Sequence, residues 1–386
     1  MKNKSIRISF PEIGWNDLKD LKTVIKSGWL TNGPIVRKFE DRLKKYLEVD
    51  YLISCSSGTA ALQMAILACG IGPGDEVIIP DYTFPAVANA VEHSGAKPIL
   101  SDIDLNSLNL DPKKLKDKLS KNTKAIIPVH QFGLPAEMDS LQDFSQKHNL
   151  TVIEDAACAL GAEYKGKKCG TIGKAGCFSF HPRKIITTGE GGAVATNDRR
   201  IFNQCKLLRN HGISEIEHLN YQVCGFNFRM SDLNASIGLA QLQKIQKFLK
   251  SRTKLAEIYK EKLQEIKQVH LPQVPDYSKP SYQSFVVLVD ESFNRDLIIK
   301  KLKARGIETN SGAMAIHTLP YYQKKYGHRN GDCPNSYIAA KTALCLPHFP
   351  QLKIEEIDFI FDSLKFLLSR KPLKNIMEVK PPIGKP

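Results

Sequence analysis

"FSFHPRKIITTGEGGAVATND", residues 178–198, sets one lysine, Lys184, between an apolar run that reads as a buried strand and a loop carrying three glycines. A lysine with strand residues on one side and close-packing glycines on the other lies in a partly desolvated pocket, where its free amine becomes a usable nucleophile. The stretch taken alone also fits a solvated loop lysine, so the surrounding chain has to decide between the two.

Upstream, short apolar runs alternate with helical patterns. "YLISC" (51–55) leads into "SSGTAALQMAILACG", "EVIIPDYTF" (76–84) into "PAVANAVEHSG", and "KPILSDI" (97–103) into "DPKKLKDKL". "KAIIPVH" (124–130) is followed by the helical "MDSLQDFSQKHN", which runs to "LTVIEDA" (150–156). The strands are continuously apolar rather than alternating, as expected when helices cover both faces of a sheet. This pattern predicts an α/β fold built on an open, mostly parallel mixed sheet flanked by helices. After "FSFHP" and "GAVATND" the rhythm changes, and from about residue 240 charged helices dominate with strands such as "SFVVLVD" (284–290). The expected division is a large domain over 1–240 and a smaller α+β C-terminal domain over 241–386, with the N-terminal arm packing on the latter. The tail "KPPIGKP" reads as loose.

Composition narrows the function classes. With 386 residues, 42% hydrophobic and 25% charged, the chain has the make-up of a globular protein and not of a disordered or fibrous one. No apolar run approaches the roughly 20 residues that span a bilayer, and "MKNKSIRISFPEIGW" lacks the apolar core of a secretion signal. A cytoplasmic location without membrane partners is expected. Nine cysteines without a CxxC pair argue against a disulfide framework and against a thiolate zinc site, so no metal is expected. The net charge of +15 suits nucleic acid, an acidic membrane surface or a phosphorylated small substrate. The lysines, however, recur along helical faces and mix with acids, as in "KDLKTVIKSG" and "RTKLAEIYKEKLQEIK". That is the pattern of a solvated surface, and no nucleic-acid partner is expected.

In open α/β sheets ligands bind beyond the carboxyl ends of the strands. "SSGT" follows one such end: Ser57, Gly58 and Thr59 begin a helix and offer amides, hydroxyls and a positive dipole end to an anion, or simply cap the helix. Glu154 and Asp155 end another strand, where an aspartate also serves as a helix cap. Together these positions specify one cofactor better than any does singly. Pyridoxal phosphate needs a lysine amine, an anionic partner for the pyridine nitrogen, an anion cradle and an aromatic face over the ring. Lys184, Asp155, the "SSGT" turn with Ser179, and Phe84 of "PDYTFPAVAN" fill those roles.

That order along the chain resembles the DegT/DnrJ/StrS family of sugar aminotransferases, within the fold-type I pyridoxal phosphate enzymes. The likeness runs from "GWLTNGPIVRKFE" through "PVHQFGLPAEMD", "IEDAACALGAEYKGKKCG" and "GFNFRMSDLNASIGLAQL" to "YGHRNGDCPNS" and "LCLPHFP". It implies that Lys184 is the Schiff-base lysine and proton shuttle, Asp155 the pyridine partner and Phe84 the stacking ring. It also makes Gly58, Thr59 and Ser179 phosphate ligands, with Ser57 beside them among the cofactor-binding residues, and Asn227 of "GFNFRM" a phosphate ligand donated by the neighbouring subunit of a homodimer with shared active sites. Two departures stand out. Cys158 occupies a position near the cofactor ring where relatives more often carry Gln, His or Glu, and sulfur hydrogen-bonds weakly. The segment "GIETNSGAMAIHTLPYY" lacks aromatic and proline residues that many relatives place before the histidine corresponding to His317, in a region of sugar contacts. The implied activity is transfer of an amino group from an amino acid, glutamate by expectation, to a nucleotide-linked keto-deoxysugar, of the kind that feeds surface polysaccharides such as O-antigen. Cyclitol and aminohydroxybenzoate-type aminotransferases share the cofactor residues and remain an alternative. Sugar dehydratases on this scaffold replace the lysine with histidine, and a regulatory protein would most simply have lost Lys184 or Asp155; this chain keeps both.

Overall fold

Seven strands form the main sheet of the computed structural model, which describes residues 5–214 and 220–369; the tail "KPPIGKP" lies outside them. In chain order they are Tyr51–Cys55 (β1), Glu76–Pro80 (β2), Lys97–Ser101 (β3), Thr123–Ile126 (β4), Thr151–Asp155 (β5), Ala175–Ser179 (β6) and Gly192–Thr196 (β7). In space they run β1-β7-β6-β5-β4-β2-β3. Strands β2 to β6 pair in parallel, while β7 is antiparallel to both β6 and β1. The reversal comes from the stretch around Lys184: residues 180–191 turn the chain straight back from β6 with no crossover helix, so β7 has to run the other way.

The continuous apolar runs have a direct cause. Ile78, Ile126, Val152 and Phe178 enter one core cluster. Their neighbours Val77, Ile79, Ile127, Ile153 and Cys177 enter a second cluster on the opposite face. Successive side chains of a strand point to opposite faces, so a strand covered on both sides needs apolar residues at every position. The helix Gly58–Ala68 belongs to the second face and buries Ala60, Ala61, Leu62, Met64, Ala65 and Ile66.

A second sheet is antiparallel, in the order Val269–His270 (β8), Phe285–Val289 (β9) and Ala343–Leu346 (β10). Its core gathers Leu255, Tyr259, Val287, Leu302, Leu344 and Ile360, together with Ile6 from the N-terminal arm. The arm is tied in by backbone bonds, Ile6 N–H donating to Gly306 O (2.7 Å) and Glu308 N–H to Ile6 O (2.9 Å). The cores are not contiguous in sequence, because Ile316, Tyr322 and Cys333 return to the cluster around the helix Gly58–Ala68. Among the described residues no helix is long and apolar enough to cross a membrane.

One buried carboxylate fixes the middle of the main sheet. Glu154, completely buried, accepts from Gly170 N–H (2.7 Å), Ile172 N–H (2.6 Å) and Gly173 N–H (2.7 Å) on the loop that enters β6. Its fourth partner is His130 Nε2 at 2.8 Å, just beyond β4. His130 Nδ1 accepts from Ala136 N–H at 3.0 Å, which keeps the ring proton on Nε2, facing Glu154. The loop is packed so closely that a Cβ on Gly176 would lie 1.9 Å from Gly170 O. Removing the carboxylate strands three amides at once, one buried and two part-buried. Glu154→Ala is therefore expected to lower unfolding free energy by about 3–5 kcal/mol, and Glu154→Gln by about 1–3 kcal/mol, in urea denaturation of the folded chain.

Candidate functional site

The carboxyl ends of β1, β5 and β6 and the start of β7 meet at one edge of the sheet. Ser57 caps the helix that follows β1, its Oγ accepting from Ala60 N–H at 3.1 Å. Two glycines let the chain come together here. A Cβ on Gly192 would lie 2.3 Å from Ser57 O, and one on Gly58 would lie 2.8 Å from Ser179 Cβ. The first residues of the helix, Gly58 and the exposed Thr59, are thus set beside Ser179 at the end of β6. The first amides of a helix have no intrahelical acceptor, so this corner presents N–H groups, hydroxyls and the positive end of the dipole in one place.

Asp155 ends β5 and is 6% exposed. Alternation along the strand sends Glu154 and Asp155 to opposite faces, which separates the structural carboxylate from the one at the site. Asp155 Oδ1 accepts from Ala157 N–H at 3.0 Å, and among the described residues no donor faces Oδ2. Burial raises its carboxyl above the usual range; the Ala157 amide and the charge of Lys184 oppose that rise without cancelling it.

Lys184 follows β6 in a wound loop. Its N–H donates to His181 O (2.8 Å), Thr188 N–H donates to Phe180 O (3.0 Å), and Asn234 Nδ2 donates to Thr188 O (2.6 Å). The half-buried side chain reaches back to the turn after β5, where Nζ donates to Cys158 Sγ at 3.1 Å. The lysine, the aspartate and the cysteine read from the sequence therefore share one small volume.

Other expected residues are placed differently. Phe84 stands after the short strand Tyr82–Thr83, at the same edge, and is 67% exposed, an aromatic ring left mostly open. Asn227 is exposed. Its loop is anchored locally by a bridge to Asn210 and by Ser56 N–H donating to Phe228 O at 2.8 Å, next to the Ser57 cap. His317 is completely buried, not displayed. Its backbone N–H and Nδ1 both meet the Asp81 carboxylate (2.7 and 2.5 Å), and Nε2 meets Asn330 O at 3.3 Å. Burial alone would depress its ring pKa, but the Asp81 hydrogen bond and charge hold it above the ordinary value. This pair pins Met314–Ala315 alongside Tyr82–Thr83, immediately before Phe84.

Two supports were not read from sequence. Ser281 Oγ donates to Cys158 O at 3.0 Å, and Gln283 Nε2 donates to Arg183 O at 2.7 Å. Both come from a distant segment with no periodicity or motif to announce it.

With this geometry in view, comparison with known proteins is specific. The chain matches the sequence model of the DegT/DnrJ/EryC1/StrS aminotransferase family over residues 11–365. It is 39% identical over 321 residues to GDP-perosamine synthase of Caulobacter vibrioides, covering 82% of this chain and 86% of the relative. It is 35% identical to the spore coat polysaccharide biosynthesis protein SpsC of Bacillus subtilis, covering 94% and 97% respectively. Among solved structures, Spr1654 from Streptococcus pneumoniae in its PLP form superposes with a TM-score of 0.89 at 28% identity, covering 95% of this chain and 99% of that one.

The tight corner at Gly58 makes a prediction. Gly58→Ala pushes the helix start away from Ser179, and phosphate-dependent cofactor affinity is expected to fall about tenfold or more, roughly 1.4 kcal/mol, in equilibrium titration by fluorescence quenching. An unchanged affinity would remove this corner from the binding site.

Proposed function

The chain belongs to the DegT/DnrJ/EryC1/StrS aminotransferase family, and from that premise we propose that it moves an amino group from an amino acid, with glutamate as donor, to a nucleotide-linked keto-deoxysugar. The product is an amino-sugar nucleotide for polysaccharide assembly, made in the cytoplasm by a homodimer. Enzymes of this family work with pyridoxal phosphate. The observation that carries the reading is the Lys184 amine, which donates to a thiol, beside the buried carboxylate of Asp155, whose Oδ2 faces no donor among the described residues.

These residues fit the cofactor. A buried carboxylate with a free oxygen is costly unless a cation meets it, and a protonated pyridine nitrogen is such a cation. Bound pyridoxal phosphate supplies a carbonyl carbon that captures amines and a ring that draws electrons from the neighbouring carbon. Lys184 would hold that carbonyl, and its free Nζ would take the proton from the α-carbon of the amino acid. In the return direction the same nitrogen delivers a proton to the sugar carbon that receives the amine. Asp155 Oδ2 would accept from a protonated pyridine nitrogen and so keep the ring protonated. The amides of Gly58 and Thr59, with the hydroxyls of Ser57, Thr59 and Ser179, would bind the phosphate, and the exposed Phe84 ring would cover the cofactor ring. His317 acts on the sugar side indirectly, by holding Met314–Ala315 against the strand that carries Phe84.

The dimer reading is supported by apolar surface without cover near the N-terminus: Trp15 is 89% exposed, Ile25 63% and Trp29 56%. Grouped exposure of large apolar side chains marks an association surface. The GDP-perosamine synthase relative is named for a nucleotide-linked sugar, which supports the substrate class.

Two tests follow from these roles. Lys184→Ala is expected to abolish the visible absorbance of lysine-bound cofactor and to reduce amino transfer by at least about 10³-fold, and Lys184→Arg to fail likewise, because a guanidinium stays protonated. Turnover at the parent rate in either variant would overturn the assignment. Asn227 tests sharing between subunits. Inactive Lys184→Ala protomers mixed with cofactor-weakened Asn227→Ala protomers are expected to recover activity, since one site of each heterodimer regains both residues from different chains. No recovery after demonstrated subunit exchange would leave Asn227 as a residue of its own loop.

A further inference from the structure

Cys158 holds the catalytic amine in a way the tethering role of Lys184 does not require. Nζ donates to its sulfur at 3.1 Å, and among the described residues Lys184 makes no ion pair. The sulfur is held in place from behind. Cys158 O accepts from Ser281 Oγ (3.0 Å), and Ser281 N–H donates to Gly133 O (3.0 Å). Gly133 lies at φ +92°, where a Cβ would come within 2.2 Å of Ser281 Oγ and 3.0 Å of Cys158 O. No side chain fits there, so the turn at 158 has no room to swing. The same segment reaches the lysine from the other side, through Gln283 Nε2 to Arg183 O at 2.7 Å. Residues 281–283 therefore fix both ends of the nitrogen–sulfur contact, one through Cys158 and the other through the residue before Lys184.

The chemistry of the partner matters. A carboxylate in this place would form a strong charge-assisted bond and trap the nitrogen as an ammonium. Sulfur is a weak acceptor, and a thiol is also a weak donor. It locates the nitrogen at low cost and lets it go. Resting on the pyridoxal phosphate reading above, we propose that Cys158 is a positioning residue for Lys184: its sulfur accepts from Nζ of the free amine without holding it as an ammonium, and would weakly favour the protonated nitrogen once that nitrogen is bonded to the cofactor.

The test is a pH titration of the visible absorbance of purified holoenzyme, which follows protonation of the Lys184 nitrogen bonded to the cofactor. Removing an acceptor from a protonated group lowers its pKa. Cys158→Ala is expected to move the midpoint down by about half to one pH unit, a three- to tenfold change in the protonation equilibrium. Cys158→Ser, which keeps a shorter acceptor, is expected to shift less in the same direction, and it carries the test alone if the alanine variant does not fold. A merely structural cysteine would leave the midpoint in place, so unchanged midpoints in the folded variants overturn the proposal. Parent holoenzyme with no lysine-dependent visible absorbance would instead overturn the pyridoxal phosphate reading on which it rests.

Discussion

Four donors converging on one buried carboxylate organise the centre of this molecule. Glu154 joins the end of β4, through His130, to the loop that feeds β6, through Gly170, Ile172 and Gly173. Part of the site hangs on those joints: Asp155 and Cys158 follow Glu154, and Ser179 and Lys184 lie at and just beyond the far end of the strand that the loop feeds. A one-residue slip in either strand would turn the side chains to the other face and separate the group. The chemistry at the edge thus depends on a charge that never touches it.

Much of this was legible in the sequence because the physics was local. Continuous apolar strands announced a doubly covered sheet, and the glycine-flanked Lys184 announced a packed amine. What stayed hidden depended on distant partners. Glu154 and Asp155 look alike in "VIEDA", and only the facing loop and His130 assign one to structure and the other to the site. His317 was read toward the sugar, while Asp81, more than two hundred residues earlier, draws it inside. Ser281 and Gln283 carry no motif, since a single hydrogen bond to a backbone carbonyl requires none. The expected boundary near residue 240 could not anticipate that Ile316, Tyr322 and Cys333 return to the first core.

The abundance of lysine also has a plain structural account. Lys165 meets Asp139, Lys168 meets Glu48, Lys247 meets Glu12 and Lys365 meets Glu265, all at the surface. Such pairs contribute about 0–1 kcal/mol each and weaken with salt. The stability of the fold rests on its packed clusters, and the surface charge is left to act on whatever anion approaches.

The bridge between Ile6 and Ile307 bears on how the chain is made. A ribosome releases the arm first and its partner some three hundred residues later, which at roughly 5–20 residues per second is a wait of about 15–60 s. During that interval the arm has no backbone partner at 306–308, and the cluster around the helix Gly58–Ala68 lacks Ile316, Tyr322 and Cys333. Neither core can close on a nascent fragment. Completion is therefore a late event, and the unfinished chain spends its synthesis with apolar surface that a chaperone can read.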